Sequence, residues 1–498
     1  MRVMRRRRGV IRTVRPERFP ILHRLSYIVG AVVTGAGAAM VPPAVVAAFY
    51  GEGDEAVQIL IAAAITITAG VLGWRVVGRP GRITSKEGFA AVGLAWFAMA
   101  AFGILPYLLT GSIESLTGAF FETAAGFTTT GASVVPDPAL LSHGILIWRA
   151  ETQWIGGMGI IVLSIAILPL LGVGGVQLAK AESPGHQPDR LTPRFRETAK
   201  RLWYVYVGFT ALQVLLLAVG DMSLFQAVAH ALTTMSTGGF GTEATSITGF
   251  SAYTQWVIIV FMFLAGASFA LHFRALRAPI QYTRNVEFRL YAALILGATA
   301  VTTIAIIGSG PFEPYLRDAL FTTTSLMTTT GFATADFGSW VPGVQILLVG
   351  LMFLGGMAGS TAGGVKTFRI AVLTKAASAD LHRIVHPRGV FVTRFGKDPV
   401  SDSVMESIQT FFLFYMFLFM SGTVILGLMS SELDLVTSAS AVASSLGNIG
   451  PGLGAVGPTS NYLPVPDAGK WLLAFLMIAG RLEIFPVVLL FTRNLWKR

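Results

Sequence analysis

Cysteine is absent from all 498 residues, which excludes disulfides, thiolate metal sites and thiol nucleophiles. Charge is scarce as well: Asp, Glu, Lys and Arg make up only 13% of the chain, about half the fraction of an average soluble protein. The seven histidines show no metal-ligand spacing, and no glycine-rich phosphate loop follows a strand-like run. The chain itself therefore offers no nucleotide site and calls for no organic cofactor. What fills it is apolar: 53% hydrophobic residues and a mean hydropathy of +0.66. Apolar runs of roughly 20 residues, enough to cross a bilayer, recur throughout. The composition is that of an integral membrane protein made of helices.

The net charge of +11 is spread between apolar runs instead of gathered into one domain, which argues against a nucleic-acid partner. Arg2, Arg5, Arg6, Arg7, Arg8, Arg12, Arg15 and Arg18 precede an apolar segment too long and poorly matched for a cleavable signal. They read as a cytoplasmic flank that also touches anionic membrane lipids. An opening hairpin is expected from about Leu25 to Tyr50 and from Ala56 to Val77, joined by an acidic turn at 51–55. Four units follow, each an apolar helix, a short amphipathic segment, a glycine-rich strip and a second apolar helix. The first helices fall near 88–110, 202–220, 289–309 and 405–429, and the second near 145–175, 253–273, 343–375 and 468–492.

Ten spans in all would place both termini on one side. Loops after the second helices carry Lys180, Arg190, Arg194, Arg274, Arg277, Arg284, Lys375, Arg383, Arg388 and Arg394, so the positive-inside bias makes them cytoplasmic. The expected boundaries are a basic N-terminus at 1–20, the hairpin at 21–80, and units at 81–200, 201–285, 286–398 and 399–498. The opposite loops hold Asp137, Asp221, Glu243, Glu313, Asp336, Glu432, Asp434 and Asp467. They form either a negative vestibule that concentrates cations or simply what the orientation bias leaves behind.

The strips carry the chemistry. They are Thr128-Thr129-Thr130-Gly131, Met235-Ser236-Thr237-Gly238, Thr328-Thr329-Thr330-Gly331 and Gly447-Asn448-Ile449-Gly450, with glycine spacings of 107, 93 and 119 residues. Each apolar lead-in is about ten residues, half a membrane thickness, which suits a re-entrant helix better than a span. Non-helical backbone at that depth leaves carbonyls unpaired unless protein, a water-filled cavity or a dehydrated cation satisfies them. The competing explanation is that small-residue runs let transmembrane helices pack closely.

These strips and their surroundings resemble the Trk/Ktr/HKT superfamily of potassium transporters, most closely its bacterial TrkH-type subunits. The resemblance covers nearly the whole chain. It includes Gly126 through Gly131, Trp148-Arg149, Trp154 through Gly159, Glu182-Ser183-Pro184-Gly185, His230 with Ser236 through Phe240, Met327 through Phe337, and Asn448 through Gly452. It implies a pseudo-fourfold pore, with one ion path per subunit of a homodimer in the cytoplasmic membrane of a bacterium or archaeon. The implied potassium filter, built mainly from backbone carbonyls, comprises Thr129, Thr130, Gly131, Ser236, Thr237, Gly238, Thr329, Thr330, Gly331, Asn448, Ile449 and Gly450. In plant relatives a serine at the first filter glycine goes with sodium transport, so Gly131 favours potassium. A TrkA-like cytosolic subunit that binds nucleotide is the implied regulatory partner.

The second helices share a motif, and its third copy departs most. Gly355, Gly356, Gly359, Gly363 and Gly364, with Ser360 and Thr361 between them, should break that helix, since glycine costs up to ~1 kcal/mol per helical position. Close packing on a neighbouring helix is the other reading. The family places an intramembrane gating loop there. Lys366 is then either part of the gate or a cytoplasmic flank. Arg481 lies near the middle of the last span, where a charge costs ~2.5–3.5 kcal/mol. The family reading puts it below the filter, obstructing permeation; the alternative is an ion pair with Glu483 or a neighbouring helix. Two other functions stay open at this point: Na+- or H+-coupled symport, with a Na+-permeable relative as a variant, and an integral-membrane enzyme using Glu122, His230 or Asp336.

Overall fold

The structure, a computed structural model, describes residues 20–75, 84–167, 191–396 and 398–496. The arginine-rich N-terminus and the Glu182-Ser183-Pro184-Gly185 segment lie outside these residues. The chain is helical apart from a two-residue antiparallel pairing in which Arg394 faces Pro399 and Phe395 faces Asp398. The opening hairpin is Pro20–Ala38, Val41–Phe49 and Gly53–Arg75. Pro42 and Pro43 sit in the first turn of the middle piece, where a missing backbone N–H costs nothing, so the break before them is local.

Four units follow. Their outer helices are Ser85–Phe102, continued by Leu105–Thr110, then Leu191–Val219, Val286–Ile306 and Asp402–Met429. Their pore helices are Leu116–Phe127, Leu224–Met235, Phe312–Met327 and Leu435–Gly447. At 1.5 Å per residue, a 12-residue pore helix spans about 18 Å, too short to cross a hydrocarbon core of about 30 Å. Side chains start three of them: the Ser115 and Ser223 hydroxyls and the Asp434 carboxylate accept backbone N–H groups of the first turn.

Two of the inner helices, the second and the fourth, are interrupted where continuous spans are expected, while the third breaks at its glycines as expected. The first, His143–Ile167, runs unbroken through Gly156 and Gly157. The second stops at Ala265, and its continuation, Phe269–Ala275, is bent away by 101°. The third ends at Leu354 and resumes only at Thr367. The fourth, expected over 468–492, ends at Arg481 because Glu483 and Ile484 turn left-handed, with φ of 59° and 65°. The interruptions fall at Gly266 and Gly355 and just after Gly480. Among the described residues, six helices are long and apolar enough to cross a membrane, seven if the bent pair counts as one span.

Polarity is inverted relative to a soluble protein. Leu215, Ile304 and Leu428 on the outer helices are exposed, whereas Thr233, Thr323, Ser325 and Ser445 of the pore helices are fully buried. Lipid replaces water as the surrounding solvent, and the polar groups gather at the centre.

Candidate functional site

The four pore helices end in the same backbone turn. The N–H groups of Thr130, Gly238, Thr330 and Ile449 donate to the carbonyls of Ala125, Thr233, Ser325 and Ser444 at 2.8–2.9 Å. One residue earlier, Thr129, Thr237, Thr329 and Asn448 donate to Gly126, Thr234, Leu326 and Ser445 at 2.9–3.3 Å. This paired pattern is a Schellman cap, whose left-handed residue is usually glycine. Here that residue is Thr129, Thr237, Thr329 or Asn448, with φ between 52° and 58°. A β-branched residue at positive φ is an outlier that costs about 1–3 kcal/mol and persists only where its surroundings enforce it.

Two residues further on, each strip has a glycine at positive φ: Gly131, Gly239, Gly331 and Gly450. The backbone register thus moves the second glycine by one residue from Gly238 to Gly239. Gly238 stands level with Thr130, Thr330 and Ile449. It has its own reason to lack a side chain, because the Gln153 amide occupies the space a Cβ would need. That amide donates to the Gly238 carbonyl at 2.8 Å and accepts from the Phe240 N–H at 3.1 Å.

The strips close into a ring. A Cβ on Gly131 would overlap the Gly238 carbonyl oxygen, one on Gly239 the Thr330 oxygen, and one on Gly331 the Ile449 oxygen. Completing the cycle, a Cβ on Gly450 would stand 2.8 Å from the Thr130 oxygen. Each strip therefore meets the next at a backbone carbonyl. The pore helices end at the ring, and their C-termini bring partial negative charge there, which favours a cation.

Side chains brace the ring unequally. In strips one and three the hydroxyl pairs Thr128–Thr130 and Thr328–Thr330 bond at 2.8 Å. In strip four the Ser444 and Tyr462 hydroxyls both donate to the Gly450 carbonyl at 2.8 Å. Glu122 accepts from the Ser133 hydroxyl, the Val134 N–H and Arg149, and the buried Arg149–Glu122 ion pair measures 2.9 Å. Arg149 also donates to the Gly241 carbonyl and lies over the Phe240 ring, tying strip one to strip two. His230 bonds the Gln226 carbonyl through Nδ1, within its own helix. Asp336 caps the short turn Phe337–Ser339. Glu122, His230 and Asp336 are thus engaged in structural contacts.

The glycine-rich segment between Leu354 and Thr367 folds back against the ends of the pore helices. Thr361 shares its hydroxyl between the Met235 and Ala265 carbonyls, both at 3.1 Å. The Gly363 N–H donates to the Thr329 hydroxyl at 2.7 Å, and the Gly364 N–H to the Gly447 carbonyl at 3.0 Å. Arg481 donates to the Thr361 carbonyl at 2.6 Å and reaches the Gly156 carbonyl at 3.5 Å. Glu483 pairs instead with Arg369 at 2.6 Å, so the Arg481–Glu483 alternative does not hold. Lys366 is buried and donates to the Ser360 and Ala362 carbonyls, which removes the reading of it as a cytoplasmic flank. Gly355, Gly359 and Gly364 take positive φ, and Gly356 packs where a Cβ would meet the Gly266 carbonyl.

Gln153 and Glu287 carry no sequence signal of their own. Glu287 begins an outer helix and looks like a flank residue, yet it accepts the Ala358 N–H of the loop at 2.7 Å. The loop residues Asp434 and Asp221 hold turns together. Asp434 accepts the Thr437 N–H at 2.7 Å, and hydrogen bonding from Thr437 keeps its carboxyl below the ordinary range. Burial pushes the Asp221 carboxyl up, but hydrogen bonds from Thr254 and Ser251 outweigh it and leave it lowered.

A family model, TrkH, described as a cation transport protein, matches residues 55–498. The Trk system potassium uptake protein TrkH of Halomonas elongata is 37% identical over 486 residues, 96% of this chain and 100% of that one. TrkG of Escherichia coli K12, another Trk system potassium uptake protein, is 33% identical over 92% of this chain and 95% of its own. The crystal structure of the potassium transporter TrkH from Vibrio parahaemolyticus superposes with a TM-score of 0.87 at 34% identity, covering 95% of this chain and 99% of that one.

Proposed function

The chain belongs to the TrkH family of cation transport proteins, and from this we propose that it carries potassium into the cell across the cytoplasmic membrane. The family is one of transporters and not of enzymes. In this reading the four strips are the filter, and the glycine-rich loop with Lys366 and Arg481 is the gate beneath it. The closed ring of glycines and carbonyls carries the reading, because it is the arrangement that can replace the hydration shell of a bare cation. An inside-negative potential supplies about 2.3 kcal/mol per charge per 100 mV, enough to drive uptake without a coupled ion. The gate reading is supported by the loop's bonds to Met235, Thr329 and Gly447, which put it against three of the four strips.

We assign the exposed Arg274, Arg277, Arg284, Arg388 and Arg394 to a docking face for a TrkA-like, nucleotide-binding cytosolic subunit. The relatives are named as parts of a Trk system, which accords with a chain that works with a partner. A homodimer with one ion path per subunit completes the reading. The test is flux of K+, Rb+, Na+ and Li+ through the reconstituted protein at clamped voltage. Potassium and rubidium should lead, with reversal at the potassium equilibrium potential. Reversal that follows a sodium or proton gradient would point to symport.

A further inference from the structure

We propose that the Thr329 hydroxyl links the filter to the gate, so that the loop cannot leave its seat without releasing the third strip. This rests on the filter-and-gate reading above. Four residues hold the left-handed position of the strips, and their side chains are used differently. The Thr237 hydroxyl donates to the neighbouring Ser236 carbonyl at 2.6 Å. The Asn448 amide bridges the Thr130 hydroxyl and the Met477 carbonyl. The Thr129 hydroxyl has no partner among the described residues. Of the four, Thr329 alone hydrogen-bonds the loop through its side chain among the described residues, accepting the Gly363 N–H at 2.7 Å.

That donor sits in a clamped segment. Arg481 holds the Thr361 carbonyl and Lys366 the Ala362 carbonyl, both at 2.6 Å, immediately before Gly363. A Cβ on Gly363 would overlap the Gly447 carbonyl, so the loop has no room to slide along the fourth strip. Thr329 is fully buried. When the loop moves, its hydroxyl loses its donor in a place where an unpaired polar group is costly, and the strip loses a brace on a backbone conformation that threonine disfavours. The coupling is reciprocal by thermodynamic linkage. An ion that fits the filter holds the strip in shape and thereby holds the loop down.

The absence of cysteine makes a test direct, because one introduced thiol is the only one in the chain. Ala358→Cys places it on a half-buried loop residue, where a membrane-impermeant thiol reagent from the cytoplasmic side reports loop exposure in proteoliposomes. Labelling is expected to be about twofold to tenfold slower in K+ than in Na+, the range one hydrogen bond supplies. Thr329→Val should speed labelling in both ions and abolish the difference, and Thr329→Ser should preserve it. Thr329→Ala serves if the valine variant does not fold. The link is overturned if Thr329→Val or Thr329→Ala keeps the full ion dependence. It is equally overturned if no background shows any while cation-selective flux is intact. A native-sequence protein without cation-selective flux overturns the filter reading, and the link with it.

Discussion

No Cβ fits between Gly131 and the carbonyl oxygen of Gly238, one strip further around the ring. These residues are 107 positions apart in the chain, yet their backbones meet as closely as strands of one element. The contact recurs at each junction of the ring, so the absence of a side chain at four positions is a single geometric requirement repeated four times.

Gly131→Ser adds a Cβ at a φ of 76° and pushes on that carbonyl. A residue with a side chain at positive φ costs more than about 1 kcal/mol, and each 1.4 kcal/mol of lost discrimination is about tenfold. The K+/Na+ permeability ratio from reversal potentials should fall by about tenfold or more. Gly238→Ala meets the Gln153 side-chain amide and not the backbone carbonyl of a neighbouring strip, so it should loosen strip two through that amide, with a smaller loss of selectivity.

Arg481→Ala removes the charged donor to the Thr361 carbonyl. Hydrogen bonds to charged groups contribute about 1.5–3 kcal/mol, so basal flux without a regulatory partner should rise about tenfold to a hundredfold. Unchanged basal Rb+ uptake by a folded Arg481→Ala protein would remove the arginine from the gate.

The Glu122–Arg149 pair is buried on both sides. Removing one partner leaves an uncompensated charge, at a cost of about 3–5 kcal/mol. Arg149→Met should lower the thermal unfolding midpoint in detergent sharply, and the double variant Glu122→Gln with Arg149→Met should recover part of the loss.

Asp434 caps the fourth pore helix with its carboxyl held below the ordinary value. A depressed native pKa means the unfolded chain binds the proton first. Its contribution is therefore fully present above the ordinary carboxyl pKa of about 3.9 and is lost as pH falls through the lowered one. Asp434→Ala should cost about 1 kcal/mol near neutral pH and should flatten the acid limb of the stability profile. Thermal unfolding between pH 3 and 7 reads both effects.

Much of this architecture was legible in the chain because its causes are local. Pore helices of half-membrane length, outer helices of full length and the break at Gly355 follow from hydropathy and helix propensity over short windows. The ring position in strip two falls on Gly239 and not on the expected Gly238, because the two glycines are adjacent and only the backbone turn distinguishes them. Lys366 was ambiguous because a lysine after an apolar run reads equally well as a membrane flank. Its contact with Ser360 and Ala362 exists only once the loop has folded back.

The sequence by itself determined a helical membrane protein of four repeated units, since burial in lipid requires apolar length and internal backbone pairing wherever the chain crosses. It also determined where that pairing fails, at four strips and one glycine-rich loop. Only the tertiary structure decided the order of the ring, the partner of Arg481 and the attachment of Thr329 to the loop. Arg481 and Thr361 are 120 residues apart and no period of the chain relates them. Their bond is set by where separate helices end within one shared, buried space.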